Sequence, residues 1–226
     1  VAIDSDGNGA IDLVYAGDLH GAMWKFDFTG AQAGAWQLAL GGEPLFRATD
    51  ADGRPQPITS RPQVARHPSR GGLLVAFGSG QFFERGDAAR QDVNSFYGVL
   101  DLCGRDGNAC PRALSRAALQ EQRILVERAE RFGELSWQIR VISDETVDAD
   151  QYGYFLDLVS PRNGAEGERI VSQPLIWNDR LIYTTMIPSA DPCRFGGTSW
   201  VMEVDPFHGG RLPFSVFDLD EDGRYD

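Results

Sequence analysis

The chain has 226 residues, 42% of them hydrophobic, which is enough to bury a core as one large domain or two small ones. Its 21 Lys and Arg stand against 33 Asp and Glu, and the formal net charge of -12 repels phosphate backbones and argues against nucleic acid as a partner. No run of some 18 apolar residues is present that could span a bilayer as a helix.

The chain opens on a short acidic loop, Asp4-Ser5-Asp6-Gly7-Asn8-Gly9-Ala10-Ile11-Asp12. Apolar runs of four to eight residues follow, each bounded by turn residues, and predict strands at 13–16, 23–28, 73–77, 96–102, 137–142, 152–159, 169–177, 181–187 and 200–204. With 26 Gly and 12 Pro spread along the sequence, the expected class is all-β. Arg85-Gly86-Asp87 spells the tripeptide read by integrins, but three residues match by chance often, so it reads first as an ordinary turn with an adhesion motif as the alternative. Residues 102–134 break the strand pattern and read as an insertion between repeated units. They hold Cys103 and Cys110 in a Gly/Asp-rich turn, placed like a loop-closing disulfide, and a short helical turn at 115–123 with Ser115 as its N-cap. Such a pair favours an oxidising compartment, and Cys193 is left with a partner elsewhere or as a buried thiol. The sequence lacks an initiator Met, reads as an excerpt, and ends on a second acidic loop, Asp218-Leu219-Asp220-Glu221-Asp222-Gly223-Arg224-Tyr225-Asp226.

An internal repeat organises the strands. Ile58-Thr59-Ser60-Arg61-Pro62-Gln63-Val64 matches Ile170-Val171-Ser172-Gln173-Pro174-Leu175-Ile176, and each copy is followed by an apolar strand, 72–78 or 180–185. A third strand then ends in an aspartate, at Asp101 or Asp205, and 24–27 looks like the same strand of an earlier unit ending at Asp27. Units of three or four short strands that cannot bury both faces alone point to stacked β-propeller blades, about four in this chain, all of it part of a single propeller domain. A β-sandwich is the alternative.

Calcium takes six to eight oxygens, and a tight loop with side-chain oxygens at alternate positions can wrap one ion. Asp4, Asp6, Asn8 and Asp12 supply positions one, three, five and nine, Ala10 offers its backbone carbonyl, and Gly7 and Gly9 permit left-handed torsions. Ile11 is expected to point into the core. Asp218, Asp220, Asp222 and Asp226 repeat the spacing, with Arg224 giving the carbonyl. Neither loop is an EF-hand, because position twelve of the first is Tyr15, inside an expected strand, where an EF-hand needs a bidentate Glu ahead of a helix. The three histidines are scattered, no nucleophile elbow, HExxH or phosphate-binding loop is present, and the five tryptophans read as packing between blades.

Directly after the first loop, Tyr15-Ala16-Gly17-Asp18-Leu19-His20-Gly21-Ala22-Met23-Trp24-Lys25-Phe26-Asp27 resembles a signature of the C-terminal propeller of the PilY/PilC family, the type IV pilus biogenesis and tip-adhesin proteins. The segments at 77–84, 95–101 and 191–200 are similar to the same family, so the resemblance covers nearly the whole chain. It implies a secreted or cell-surface β-propeller, pilus-associated or at the outer membrane or periplasm, without enzymatic activity, that contacts minor pilins and a host-cell or abiotic surface. It also implies that Asp4, Asp6, Asn8, Ala10 and Asp12 hold calcium, whose occupancy governs pilus extension and retraction, twitching motility and attachment. Arg85-Gly86-Asp87 falls where the family keeps the Gly-Asp and varies the residue before it. A quinoprotein-like dehydrogenase and an integrin-type or lectin-like binding propeller are the alternatives. The first needs a central pocket of acidic and basic groups and vicinal cysteines, neither of which is evident.

Overall fold

The structure, a computed structural model, describes residues 1–103, 111–189, 191, 196–214 and 217–218. Strands β1 (Ala2–Ile3), β2 (Leu13–Gly17), β3 (Ala22–Asp27), β4 (Gln37–Leu38) and β5 (Phe46–Arg47) form a first sheet. Strands β6 (Gln63–Arg66), β7 (Leu73–Gly78), β8 (Ser95–Asp101), β9 (Gln120–Gln122) and β12 (Gly153–Asp157) form a second, in the order β6-β7-β8-β12-β9. Between β9 and β12, β10 (Ile124–Phe132) and β11 (Leu135–Ile142) pair only with each other as a long hairpin. The third sheet is β13 (Leu175–Trp177), β14 (Arg180–Thr184) and β17 (Val201–Val204), with a ribbon of β15 (Ile187–Pro188) and β16 (Gly197–Thr198) beside it. Where the repeat suggested about four blades, the described residues hold three sheets and two ribbons.

The second sheet is covered on both sides, which is why β7 reads as an unbroken apolar run. Because side chains alternate along a strand, Val75 and Phe77 join Tyr97, Val99 and Phe155 against Tyr15, Met23 and Phe46 of the first sheet. Leu74 and Ala76 join Phe96, Tyr154 and Leu156 against Leu181, Tyr183, Met202 and Val204 of the third. The Phe96 and Tyr183 rings stack at 4.1 Å.

The repeated Ile-x-Ser segment is the joint between successive sheets. Ile58 N–H donates to the Asp18 carbonyl at 2.9 Å, and Ile170 N–H to the Ser79 carbonyl at 3.0 Å, each one residue beyond a strand-ending glycine. A Cβ on Gly17 would lie 2.2 Å from Ile58, and one on Gly78 would lie 2.3 Å from Ile170, so each isoleucine fills the space the glycine leaves. A buried Lys25–Asp101 pair at 2.6 Å, with the Tyr15 hydroxyl donating to the same carboxylate, ties the first sheet to the second.

The helical turn expected at 115–123 is a single 3-10 turn at Arg116–Ala118, and the Ser115 hydroxyl does not cap it. The next residues instead pair in parallel with β12, Gln120 opposite Tyr154, because a sheet edge gives their backbone partners that an isolated turn does not. Part of 102–134 therefore belongs to the second sheet, and Ile124–Phe132 forms an arm of the hairpin. Trp24 and Trp200 are half-buried, whereas Trp137 and Trp177 are exposed, so only part of the expected tryptophan packing is realised.

Candidate metal centre

The first acidic loop joins β1 to β2, an antiparallel pair that brings both ends of the loop together. Inside it the carboxylates fold the backbone around themselves. Asp4 accepts the N–H groups of Gly7 and Gly9, both at 2.7 Å, and of Asn8 at 3.2 Å. Asp6 accepts the N–H and the side-chain amide of Asn8, and Asn8 accepts Ala10 N–H at 2.7 Å. Gly7 and Gly9, at φ +80° and +89°, turn the chain through the left-handed region as expected. Asp12 is buried at the base, where its Oδ2 accepts the N–H and hydroxyl of Ser5 at 2.7 and 2.6 Å.

Carboxylate oxygens of Asp4, Asp6 and Asp12 come within 4.8 Å of one another. Ionised carboxylates so close repel, and a hard dication at their centre relieves that repulsion. Hydrogen bonds keep two of them charged. The Gly9 N–H, helped by those of Gly7 and Asn8, holds the Asp4 carboxyl below the ordinary range, and the Ser5 hydroxyl does the same for Asp12. Asp4 Oδ2, both Asp6 oxygens and Asn8 Oδ1 each accept one hydrogen bond and retain a lone pair for a metal, Asp12 Oδ1 takes no part in the Ser5 bonds, and the carbonyl of Ala10 accepts no hydrogen bond from the described residues. The donor set therefore fits calcium: three carboxylates, an amide oxygen and a carbonyl, all oxygen.

Two features of the loop escape sequence reading. Ile11, expected in the core, is 46% exposed. What anchors the loop is Asp12, through its N–H to the Ile3 carbonyl and its carbonyl to Phe28 N–H. Arg66 of β6 donates to the Ser5 carbonyl at 3.0 Å and links the loop to the second sheet, a contact across 61 positions that no local pattern signals. Of the second acidic loop only Asp218 is described; Asp220, Asp222, Arg224 and Asp226 lie outside the described residues. Cys103 is disulfide-bonded, and Cys110 and Cys193 also lie outside them.

Arg85-Gly86-Asp87 leads into a single 3-10 turn at Asp87–Ala89. Asp87 is fully buried, accepting Gln81 Nε2 at 3.0 Å and the N–H groups of Phe83 and Glu84 at 2.9 and 2.8 Å. Burial pushes its carboxyl up, but these donors outweigh that and leave it below the ordinary range. Burial closes this carboxylate off from a partner's metal.

The PilY1 beta-propeller domain family matches residues 1–134. The type IV pilus biogenesis factor PilY1 of Pseudomonas aeruginosa strain PAO1 is 33% identical over 252 residues, covering 99% of this chain and 21% of that protein. A PilY1 homolog of Xylella fastidiosa strain Temecula1 is 36% identical over 221 residues, covering 97% of this chain and 16% of the relative. The chain thus spans about a fifth of the length of the curated relatives it matches. The crystal structure of the P. aeruginosa PilY1 C-terminal domain superposes with a TM-score of 0.86 at 29% identity, over 100% of this chain and 50% of that one. The stacked sheets are propeller blades, and the chain belongs to the PilY1 β-propeller family of type IV pilus biogenesis factors.

Proposed function

We propose that this chain is a calcium-binding, non-enzymatic module of a pilus biogenesis factor, acting at the cell surface or envelope through contacts with pilus components. The observation that carries the reading is the convergence of the Asp4, Asp6 and Asp12 carboxylates in a loop of oxygen donors. Calcium there would fix the β1–β2 connection and, through Ser5 and Arg66, its seat against the second blade. Binding that favours one arrangement of this surface shifts its population by mass action, which is how occupancy would regulate pilus extension, retraction, twitching motility and attachment. The Asp218–Asp226 loop is proposed as a second calcium site on its sequence spacing. No helix among the described residues is long and apolar enough to cross a membrane.

The test is Asp12→Ala in the full-length protein of a piliated bacterium, scored by surface pilus number and twitching-zone diameter with and without calcium. The reading requires that the substitution remove the calcium response while protein level stays constant. A calcium response equal to that of wild type would overturn it.

A further inference from the structure

A cleft of about 410 Å³ opens between the turn at 50–57, the loop at 81–94 and Arg169, and no residue of either acidic loop lines it. Its volume lies in the range of small-molecule sites. Three carboxylates, Asp50, Glu84 and Asp92, and three guanidiniums, Arg54, Arg90 and Arg169, line it, so it is formally neutral. Some of these charges are already committed. Arg54 pairs with Asp50 and Asp52 at 3.5 and 2.9 Å, and the buried Arg169 donates to the carbonyls of Gln81, Asp87, Arg90 and Gly167.

The rest are not. Among the described residues, the side chains of Glu84, Arg90 and Asp92 make no hydrogen bond or ion pair, although they share one cleft. Two buried amides add acceptors. Gln81 spends its N–H on Asp87 at 3.0 Å and Asn94 spends its own on the Glu168 carbonyl at 2.9 Å, which fixes both orientations. Neither amide oxygen accepts a hydrogen bond from the described residues. The cleft therefore presents open acceptors and an open donor together. An amine would satisfy the acceptors and meet Arg90; a phosphate would satisfy Arg90 and meet two carboxylates. A neutral hydroxyl both donates and accepts, and several on one ring match such a lining. Apolar surface lines the same cleft, in Leu19, Pro55, Pro57 and Val93. The loop at 81–94 is held by buried Asp87 and Arg169, so the site is set before any ligand arrives.

We propose that this cleft binds a neutral carbohydrate, with Glu84, Asp92, Arg90 and the amide oxygens of Gln81 and Asn94 on its hydroxyls and the Leu19 and Pro55 surface against its ring. This assignment stands independently of calcium at the first loop.

Saturation-transfer NMR on the chain with lactose, maltose and N-acetylglucosamine tests it, using Glu84→Gln, Arg90→Met and Asp12→Ala. The first two side chains are exposed, so the fold should survive, as circular dichroism would verify. Saturable transfer from at least one sugar is expected, weakened about tenfold by Glu84→Gln or Arg90→Met and unchanged by Asp12→Ala. Absence of transfer from all three sugars, transfer indifferent to both cleft substitutions, or preferential binding of putrescine or inorganic phosphate would overturn it.

Discussion

Asp27 and Asp101 end β3 and β8, Asp205 directly follows β17, and each accepts the backbone N–H two residues on, from Thr29, Cys103 and Phe207. The aspartate repeat visible in the sequence is thus a repeated turn, the short side chain closing a ring with its own backbone. Asp87 was equally visible, but spelling a known tripeptide says nothing about burial, which depends on the folded loop. Asp87→Ala would orphan two N–H groups and an amide and should cost about 3 kcal/mol in denaturant unfolding, with integrin binding absent before and after. Histidines give a pH signature of opposite signs. Burial, aided by Arg70, lowers the pKa of His67, so the stability tied to it is complete above 6.5 and is lost as pH falls from there through the folded value. The hydrogen bond to Asp205 raises that of His208, so its contribution is complete below 6.5 and is lost as pH rises through the folded value. Unfolding midpoints measured against pH should fall on both sides of 6.5, His67→Gln flattening the acid limb and His208→Gln the alkaline one.

The strands with apolar alternation or an apolar run were legible almost to the residue, β2, β3, β7, β8 and β17 among them. β10 was not, because Ile124–Phe132 carries Glu127, Arg128, Glu130 and Arg131, and its pairing comes from β11 and not from a buried face. The hairpin is fastened by Arg140, which joins Glu127 and Glu168 at 2.6 and 2.7 Å with all three side chains buried and its guanidinium 4.3 Å over the Trp200 ring. Arg140→Met should destabilise the chain by about 3–5 kcal/mol, since it leaves buried carboxylates without a counter-charge, and replacing Glu168 with Gln in the same chain should recover part of that loss. The repeat itself was read correctly as a unit of architecture, but its purpose as the joint between blades appears only once Ile58 and Ile170 are seen filling the glycine spaces. Ile170→Ala should cost about 2–5 kcal/mol by thermal or urea unfolding, whereas Val171→Ala, one residue on and exposed, should change little.

Across the whole molecule, the middle blade is buried on both faces while the first acidic loop hangs on the β1–β2 connection of its neighbour, bridged to it by Arg66. The alternate-oxygen spacing brought Asp4, Asp6 and Asp12 forward as candidate ligands without any structure, and the structure places their carboxylates together; the Arg66 contact was not legible, because it arises from blade packing. A ligand that binds only the folded chain stabilises it by about 2.7 kcal/mol at a hundredfold excess over Kd, so calcium should raise the melting temperature and Asp12→Ala should reduce that rise. The most direct measurement is isothermal titration of calcium into chelator-treated chain, wild type against Asp12→Ala. The structure predicts that the substitution removes one binding site from the isotherm while the folded spectrum persists; a wild-type titration without heat, or an isotherm identical in the two proteins, would contradict it.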